Sequence, residues 1–332
     1  MVTPSADRWD TWWSEHATDR LSTGDAAALV AAALADGLLD LPLPGAGATE
    51  ARLAMLSRWG RADLVFARLA EGHVDAVAIL AELGGPPPGE DLWAVWAAVP
   101  QSVRATRRGD DWVLDGDRPW CSGAGLCTRA LVTAAAEDGP RLFAIDVADA
   151  TVLPDTWPAV GMAGSDSRTI RLAGAPGTPV GGPDGYVNRP GFRHGGIGVA
   201  ACWYGGARGV ADALVAAARS KDVTPHAMAH LGGVDVALHS SRTLLADAAA
   251  AIDADPLRDR TRLSSQVRQG VEARATEVLD RVGRALGASP LCMNHAHARR
   301  VADLTVYLRQ SHAEADLAGL GSVVRDGDDP AW

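Results

Sequence analysis

From Ile197 to the C-terminus the chain carries four stretches of helical period, each roughly 20 residues long and joined by short connections. They run from Val199 to Ser220, Ala227 to Ala254, Ser264 to Leu286 and His297 to Leu320. In the second, Leu231, Val234, Val236, Leu238, Leu244 and Leu245 supply apolar positions, and Gly287 ends the third. Helices of that length with short loops pack against one another, so this region predicts a four-helix bundle. What precedes it differs in kind. Residues 90 to about 185 hold short apolar or alternating runs divided by Gly, Pro and Asp: Leu92 to Val99, Arg104 to Arg107, Trp112 to Leu114, Arg129 to Ala135, Leu142 to Val147 and Thr169 to Leu172. Strands at that spacing predict a barrel or a sandwich. Residues 1 to about 85 are helical again. Ser22-Thr23-Gly24-Asp25 offers N-cap chemistry before Ala26 to Ala35, and Gly37 fits a C-cap. Further helices are predicted from Glu50 to Trp59, Asp63 to Leu69 and Val74 to Leu83, before Gly84 to Gly89 breaks the pattern. The expected class is α+β. The expected domains are an N-terminal helical domain (1–89), a middle β-barrel domain (90–190) and a C-terminal four-helix bundle (191–332).

Composition narrows the partners. A chain of 332 residues with 47% hydrophobic and 22% charged residues builds a sizeable core. The net charge of −10 argues against a nucleic-acid surface and against an anionic membrane patch. The first residues are polar, so no signal peptide is expected, and no apolar run reaches the ~18 residues of a membrane span. Cys121, Cys127, Cys202 and Cys292 are dispersed without a C-x-x-C, which fits reduced thiols in a cytoplasm. Cys292, His295 and His297 are close together, but a structural zinc needs four well-separated ligands, so no metal is expected. Gly196, Gly198 and Ala201 fit G-x-G-x-x-A, but no strand precedes them, so the dinucleotide-binding context fails.

The run from Asp111 to Ala124 carries the chemistry. Trp112 to Leu114 reads as a short strand, Asp115-Gly116 as a hairpin turn, and Trp120, Cys121 and Ser122 as the return arm. An indole and a hydroxyl on such an arm suit a planar heterocycle; a well-packed hairpin of some other barrel reads the same residues equally well. The run resembles the middle-domain signature of the acyl-CoA dehydrogenase superfamily, G-x-x-x-W-x-S/T. Gly161-Met162-Ala163-Gly164-Ser165-Asp166-Ser167 resembles that family's G-M/L-R/K-A/G-S/T-x-S/T turn. Leu286-Gly287-Ala288 stands where the family has a turn between its last bundle helices, and Asp303 matches the Asp of an R-D pair. The order of helical, β and bundle blocks is also that family's order. The resemblance implies FAD, or FMN, with Trp120 packed at the ring, Ser122 bonded to the N5–C4a edge and the Cys121 backbone lining the approach.

Three departures qualify what the resemblance implies. The family's T-E-P-x-x-G-S-D loop corresponds to Val95 to Arg104, where only Pro100 and Ser102 survive as fragments. The family's second bundle helix opens on R-x-x-F-G, a segment that reaches the partner subunit's cofactor; here Arg219 to His230 keeps Arg219 without Phe or Gly. The family's glutamate base falls near Ser311, which is no base at neutral pH. His312 adjoins it and Glu314 lies three residues on. On a continuous helix Tyr307, Ser311 and Glu314 share a face, with His312 about 100° from Ser311. Glu314 or His312 are the candidate bases; Asp212 and Asp235 are the nearest acids on other helices, where a solvated face explains them as well.

The resemblance thus implies a flavoprotein oxidoreductase of the CH–CH type, desaturating a small-molecule or acyl-thioester substrate next to an activated carbonyl. It also implies a cytoplasmic homodimer or homotetramer. A flavin monooxygenase on the same fold, fed by a flavin reductase and using O2, is the alternative; Ser122 and His312 would fill its flavin-side positions. A non-catalytic scaffold that has lost flavin is the third reading.

Overall fold

The computed structural model describes residues 4–17, 23–97, 102–220 and 223–327. Ser22, read as part of a helix cap, and Pro100, read as a remnant of the family loop, lie outside the described residues. The chain packs as two compact units. The first comprises Met1–Leu41, Arg68–Ala159 and Ala163–Phe192; the second comprises Pro42–Ala67, Val160–Met162 and Arg193–Trp332.

In the first unit α1 (Ala6–His16) is capped by the Ser5 hydroxyl, which accepts from the Arg8 amide at 3.1 Å. It buries Trp9 and Trp12, and the Trp12 indole donates to Asp36 at 2.7 Å, just beyond α2 (Thr23–Ala35). α1 lies in the block read as helical, where no separate bounds were expected for it. With α3 (Thr49–Ala62) in the second unit, the next helix, α4 (Leu64–Leu83), is continuous where two helices were expected. The apparent break at Glu71-Gly72-His73 is bridged by one ion pair within the helix and one bond from outside it. Glu71 pairs with Arg68 at 2.7 Å, and His73 is buried with its Nδ1 accepting from the Trp93 amide at 3.2 Å.

The strands are β1 (Trp93–Trp96), β2 (Arg104–Arg108), β3 (Asp111–Cys121), β4 (Arg129–Ala136), β5 (Gly139–Asp146), β6 (Ala150–Val152), β7 (Arg168–Pro176) and β8 (Thr178–Val180). They run in the order β6-β7-β3-β2-β4-β5-β8, with β1 parallel on β4. Only Gly177 separates β7 from β8, so one nearly continuous strand borders β3 at one end and β5 at the other. The path closes into a barrel. Gly177 leaves room for close packing there: a Cβ would lie 2.3 Å from the Leu114 side chain and 3.2 Å from that of Phe143. Ala76, Ile79 and Leu80 of α4 pack with Trp93, Leu131, Leu142, Ala144 and Val180 to form the core of this unit. The short α5 (Gly185–Asn188) follows the barrel.

The expected hairpin is not where the sequence put it. β3 runs unbroken through Asp115-Gly116, and the two-residue turn lies earlier, at Gly109-Asp110, with Arg108 paired to Asp111 across it. Gly116 serves a close approach instead: its φ is +132°, and a Cβ would sit 2.3 Å from the Ser102 carbonyl oxygen. Asp115 accepts from the Gly174 amide at 2.7 Å and marks a register shift against β7.

The second unit contains α6 (Gly191–Ser220, whose first two residues belong to the first unit), α7 (Pro225–Ala254), α8 (Thr261–Leu286), α9 (Ser289–Met293), α10 (His295–Tyr307) and α11 (Glu314–Asp326). The long helices form the expected bundle. Thr224 caps α7 by accepting from the Ala227 amide at 3.2 Å, with Pro225 in the first turn. The last helix departs from expectation. It ends at Tyr307, passes through one tight turn (Leu308–Gln310), and restarts at Glu314 after Ala313 at φ +47°. Asp316 holds this break by accepting from the His312 amide at 3.1 Å. No described helix is long and apolar enough to cross a membrane.

Candidate functional site

The candidate arm lies at the end of β3 and is shaped by a bulge. Arg118 pairs with Ile170 and Cys121 with Arg168, so Pro119 and Trp120 together oppose Thr169 alone. Proline lacks the amide a ladder needs, and a bulge re-aims the side chain it carries. Trp120 takes φ +60°, a conformation that costs a bulky residue roughly 1–3 kcal/mol, and its indole is 56% exposed. A strained backbone presenting a large aromatic to the outside does nothing for this unit's core.

The next two residues turn inward. Cys121 is fully buried, and its burial raises the thiol well above the usual range; Cys127 nearby is pushed up to about 12 for the same reason. Both stay protonated and act as small apolar groups rather than nucleophiles. The Ser122 carbonyl accepts from the Trp96 indole at 2.9 Å. The Ser122 hydroxyl is 2.9 Å from that of Ser167, which is 2.8 Å from that of Ser165.

The segment Ala163–Ser167 is therefore the partner of the arm. The Gly123 amide donates to the Ser165 carbonyl at 2.8 Å and the Ala124 amide to the Asp166 carbonyl at 3.2 Å. The Gly125 amide donates to the Asp166 carboxylate at 2.8 Å, and Arg168 grips the same carboxylate at 2.5 and 2.9 Å. Sequence reasoning singled out both motifs but not their union. The only local trace of it is the recurrence of three serines in two glycine-containing runs. A cavity of about 570 Å³ elsewhere in this unit, bordered by Asp110, Trp112, Arg129 and Asp146, contains none of the candidate residues.

The second unit holds the remaining candidates, and it does not gather them. Ser311 is buried and accepts from the Gln269 side-chain amide at 3.1 Å. His312 is exposed and faces Asp316 at 3.3 Å. Glu314 is exposed in the first turn of α11, where a negative charge suits the helix end. The shared face of Tyr307, Ser311 and Glu314 therefore does not exist, because the helix that would carry it ends at Tyr307. Tyr307 is buried against Trp203, ring edge to face at 6.3 Å. Arg219 is exposed in the last turn of α6, ahead of α7 rather than at its start. Asp212 pairs with Arg61 at 2.8 Å, and Asp235 is exposed. Among the described residues no three His, Cys, Asp or Glu side chains are placed to hold a metal ion.

One buried carboxyl was read from sequence only as a family match. Asp303 accepts from the Met162 amide at 2.5 Å, and burial pushes its pKa up to about 6. Gly161 makes this possible, since a Cβ there would lie 2.1 Å from the Ala302 carbonyl oxygen. Asp63, beside it, is bound by Arg299.

Solved structures share this arrangement of helices, closed sheet and bundle. KijD3 in complex with FMN and a dTDP-linked amino keto sugar aligns over 97% of this chain and 93% of its own, with TM-score 0.78 and 20% identity. Glutaryl-CoA dehydrogenase from Mycobacterium smegmatis aligns over 95% and 88%, with TM-score 0.78 and 18% identity. This chain has the acyl-CoA dehydrogenase fold. Methanesulfinate monooxygenase MsuC from Pseudomonas fluorescens shares the fold over 92% of this chain and 97% of its own, with TM-score 0.73 and 19% identity. No family model and no curated protein matches the sequence. Within the acyl-CoA dehydrogenase fold, then, the activity has to be argued from this chain's own residues.

Proposed function

We propose that the protein is a flavin-dependent oxidoreductase in which the Trp120–Ser122 arm meets the ring of FAD or FMN. The observation that carries this is Trp120 itself, an exposed indole held on a left-handed, bulged backbone at the position the family motif assigns to the ring wall. The residues fit such a ring. The indole offers a flat apolar face, and the Ser122 hydroxyl, with one donor and two acceptor sites, keeps capacity beyond its bond to Ser167. When bound, the flavin would supply the hydride or oxygen chemistry; the protein fixes the ring and excludes water. KijD3, crystallised with FMN, supports the same reading.

Of the two flavin chemistries, we favour monooxygenation over desaturation. Removing a proton next to a carbonyl needs a base within reach of the substrate. Here the expected position holds Ser311, bonded to Gln269, while Glu314 and His312 are exposed. An oxygenase does not need that glutamate, and MsuC is a monooxygenase on this fold. Desaturation of an acyl thioester remains the alternative. The proposal includes a small-molecule substrate, a flavin reductase as electron source, a cytoplasmic homo-oligomer, and the division 1–89, 90–190 and 191–332 as domains.

Anaerobic titration with oxidised and with reduced FMN and FAD tests the reading. Binding that weakens in Trp120→Ala is expected. Absence of binding in both redox states would replace it with the scaffold reading. Saturable flavin reduction by an acyl thioester would restore desaturation.

A further inference from the structure

The hydroxyls of Ser122, Ser167 and Ser165 form a chain with O···O distances of 2.9 and 2.8 Å. All three residues are buried, at 8%, 6% and 1% exposure. The Trp96 indole holds the Ser122 carbonyl and the Gly123 amide holds the Ser165 carbonyl, while the Ala124 amide holds that of Asp166 between Ser165 and Ser167. A hydroxyl carries one proton, so a chain of hydroxyls has a direction, and either oxygen of each pair is able to donate. Reversing the direction requires only rotation of O–H bonds; no heavy atom moves.

We propose that Ser167, backed by Ser165, is a positioning residue that lets the Ser122 hydroxyl change between donating to and accepting from a flavin ring. This rests on the flavin reading above and assigns a task to two residues outside the arm. The N5 atom of an oxidised isoalloxazine accepts a hydrogen bond, whereas that of the reduced ring carries a proton and donates one. Toward the oxidised ring Ser122 donates outward and accepts from Ser167. Toward the reduced ring Ser122 accepts and turns its own proton inward to Ser167. Each arrangement satisfies every proton of the pair, and aligned hydroxyls polarise one another.

The two redox states depend unequally on Ser167. With Ser167 removed, Ser122 facing the oxidised ring still donates and loses only a neighbour to one lone pair. Facing the reduced ring, its buried proton has no acceptor, and an orphaned buried donor is the more expensive defect. The asymmetry gives the proposal a direction that a merely structural serine would lack.

The test is anaerobic titration of the full-length chain with oxidised FMN and with dithionite-reduced FMN, followed by absorbance and fluorescence. Ser167→Ala is expected to weaken reduced FMN about ten-fold and oxidised FMN by no more than about two-fold. That five- to ten-fold change in the ratio corresponds to a two-electron midpoint potential about 20–30 mV lower. Ser167→Thr keeps the hydroxyl and restores the ratio. Ser165→Ala shifts the ratio in the same direction by less, which keeps the test open where Ser167→Ala does not fold. Equal losses for both redox states, or an unchanged ratio in both alanine variants, overturn the proposal while leaving the flavin reading intact. Wild-type protein that binds neither form overturns the flavin reading, and the proposal with it.

Discussion

In the first unit the candidate arm is held at short range. Ser122 meets Ser167 and Ser165, and Gly123, Ala124 and Gly125 bond the same turn through their amides. In the second unit the candidate base depended on one helix continuing past Tyr307, and the chain instead breaks and restarts at Glu314. A site tied together by adjacent motifs keeps its geometry when the sequence around it changes. A site that relies on the phase of a long helix loses it with a single break. The contrast extends to the buried ionisable groups. Burial pushes His73 in the first unit down to about 4 and Asp303 in the second up to about 6, so His73 is neutral at pH 7 while Asp303 keeps a charge that its surroundings disfavour.

The largest expected effect would sharpen the contrast on the side of the second unit. Gly161→Ala drives a methyl into the Ala302 carbonyl, 2.1 Å from the ideal Cβ position. Urea denaturation should register a loss of about 4 kcal/mol, as for other severe backbone clashes; a loss under about 1 kcal/mol would mean the turn moves freely. Next come the opposed titrations. The folded pKa of His73 lies below its unfolded value of 6.5, so its contribution is present above that value and is lost as pH falls toward 4. The folded pKa of Asp303 lies above its unfolded value of 3.8, so its neutral-pH penalty is relieved as pH falls from about 6 toward 3.8. Each is worth about 3 kcal/mol at full extent. His73→Gln should flatten the acid-side loss of stability, and Asp303→Asn should steepen it. Parallel pH profiles for the two variants would break the comparison.

Trp120→Gly tests the first unit from both sides. Glycine relieves the left-handed backbone, so stability to heat should rise by about 1 kcal/mol. Flavin affinity should fall about ten-fold with the lost ring contact. A variant that is less stable, with unchanged flavin binding, would return Trp120 to an ordinary structural role. The smallest effect is expected at Ser311→Ala, which leaves Gln269 short of a partner and should cost about 1 kcal/mol in thermal denaturation.

Much of the fold was legible because it rests on local pattern. The helical period announced α7 and α8, and the short apolar runs announced β4 and β5 within a few residues. What escaped the reading was set by distant partners. Asp115-Gly116 carries turn chemistry, yet it lies inside β3 because Gly109-Asp110 makes the turn and the Ser102 backbone crowds Gly116. The break after Tyr307 is held by one distant bond, from the Gln269 amide to Ser311, and one local bond, from the His312 amide to Asp316 four residues on. For the candidate arm, sequence identified Trp120, Cys121 and Ser122, but not the bulge that aims Trp120 outward and sends Cys121 inward. A bulge depends on the register of the neighbouring strand, which a single run of residues does not contain.

Gly177 has a consequence for the protein at high concentration. A sheet that stopped at β7 on one side and β5 on the other would offer rows of unpaired amides and carbonyls to any passing chain. By carrying one strand from β3 across to β5, the glycine withdraws those rows from reach. What lies beyond β7 is β6, only three residues long, too short a template for another chain to extend.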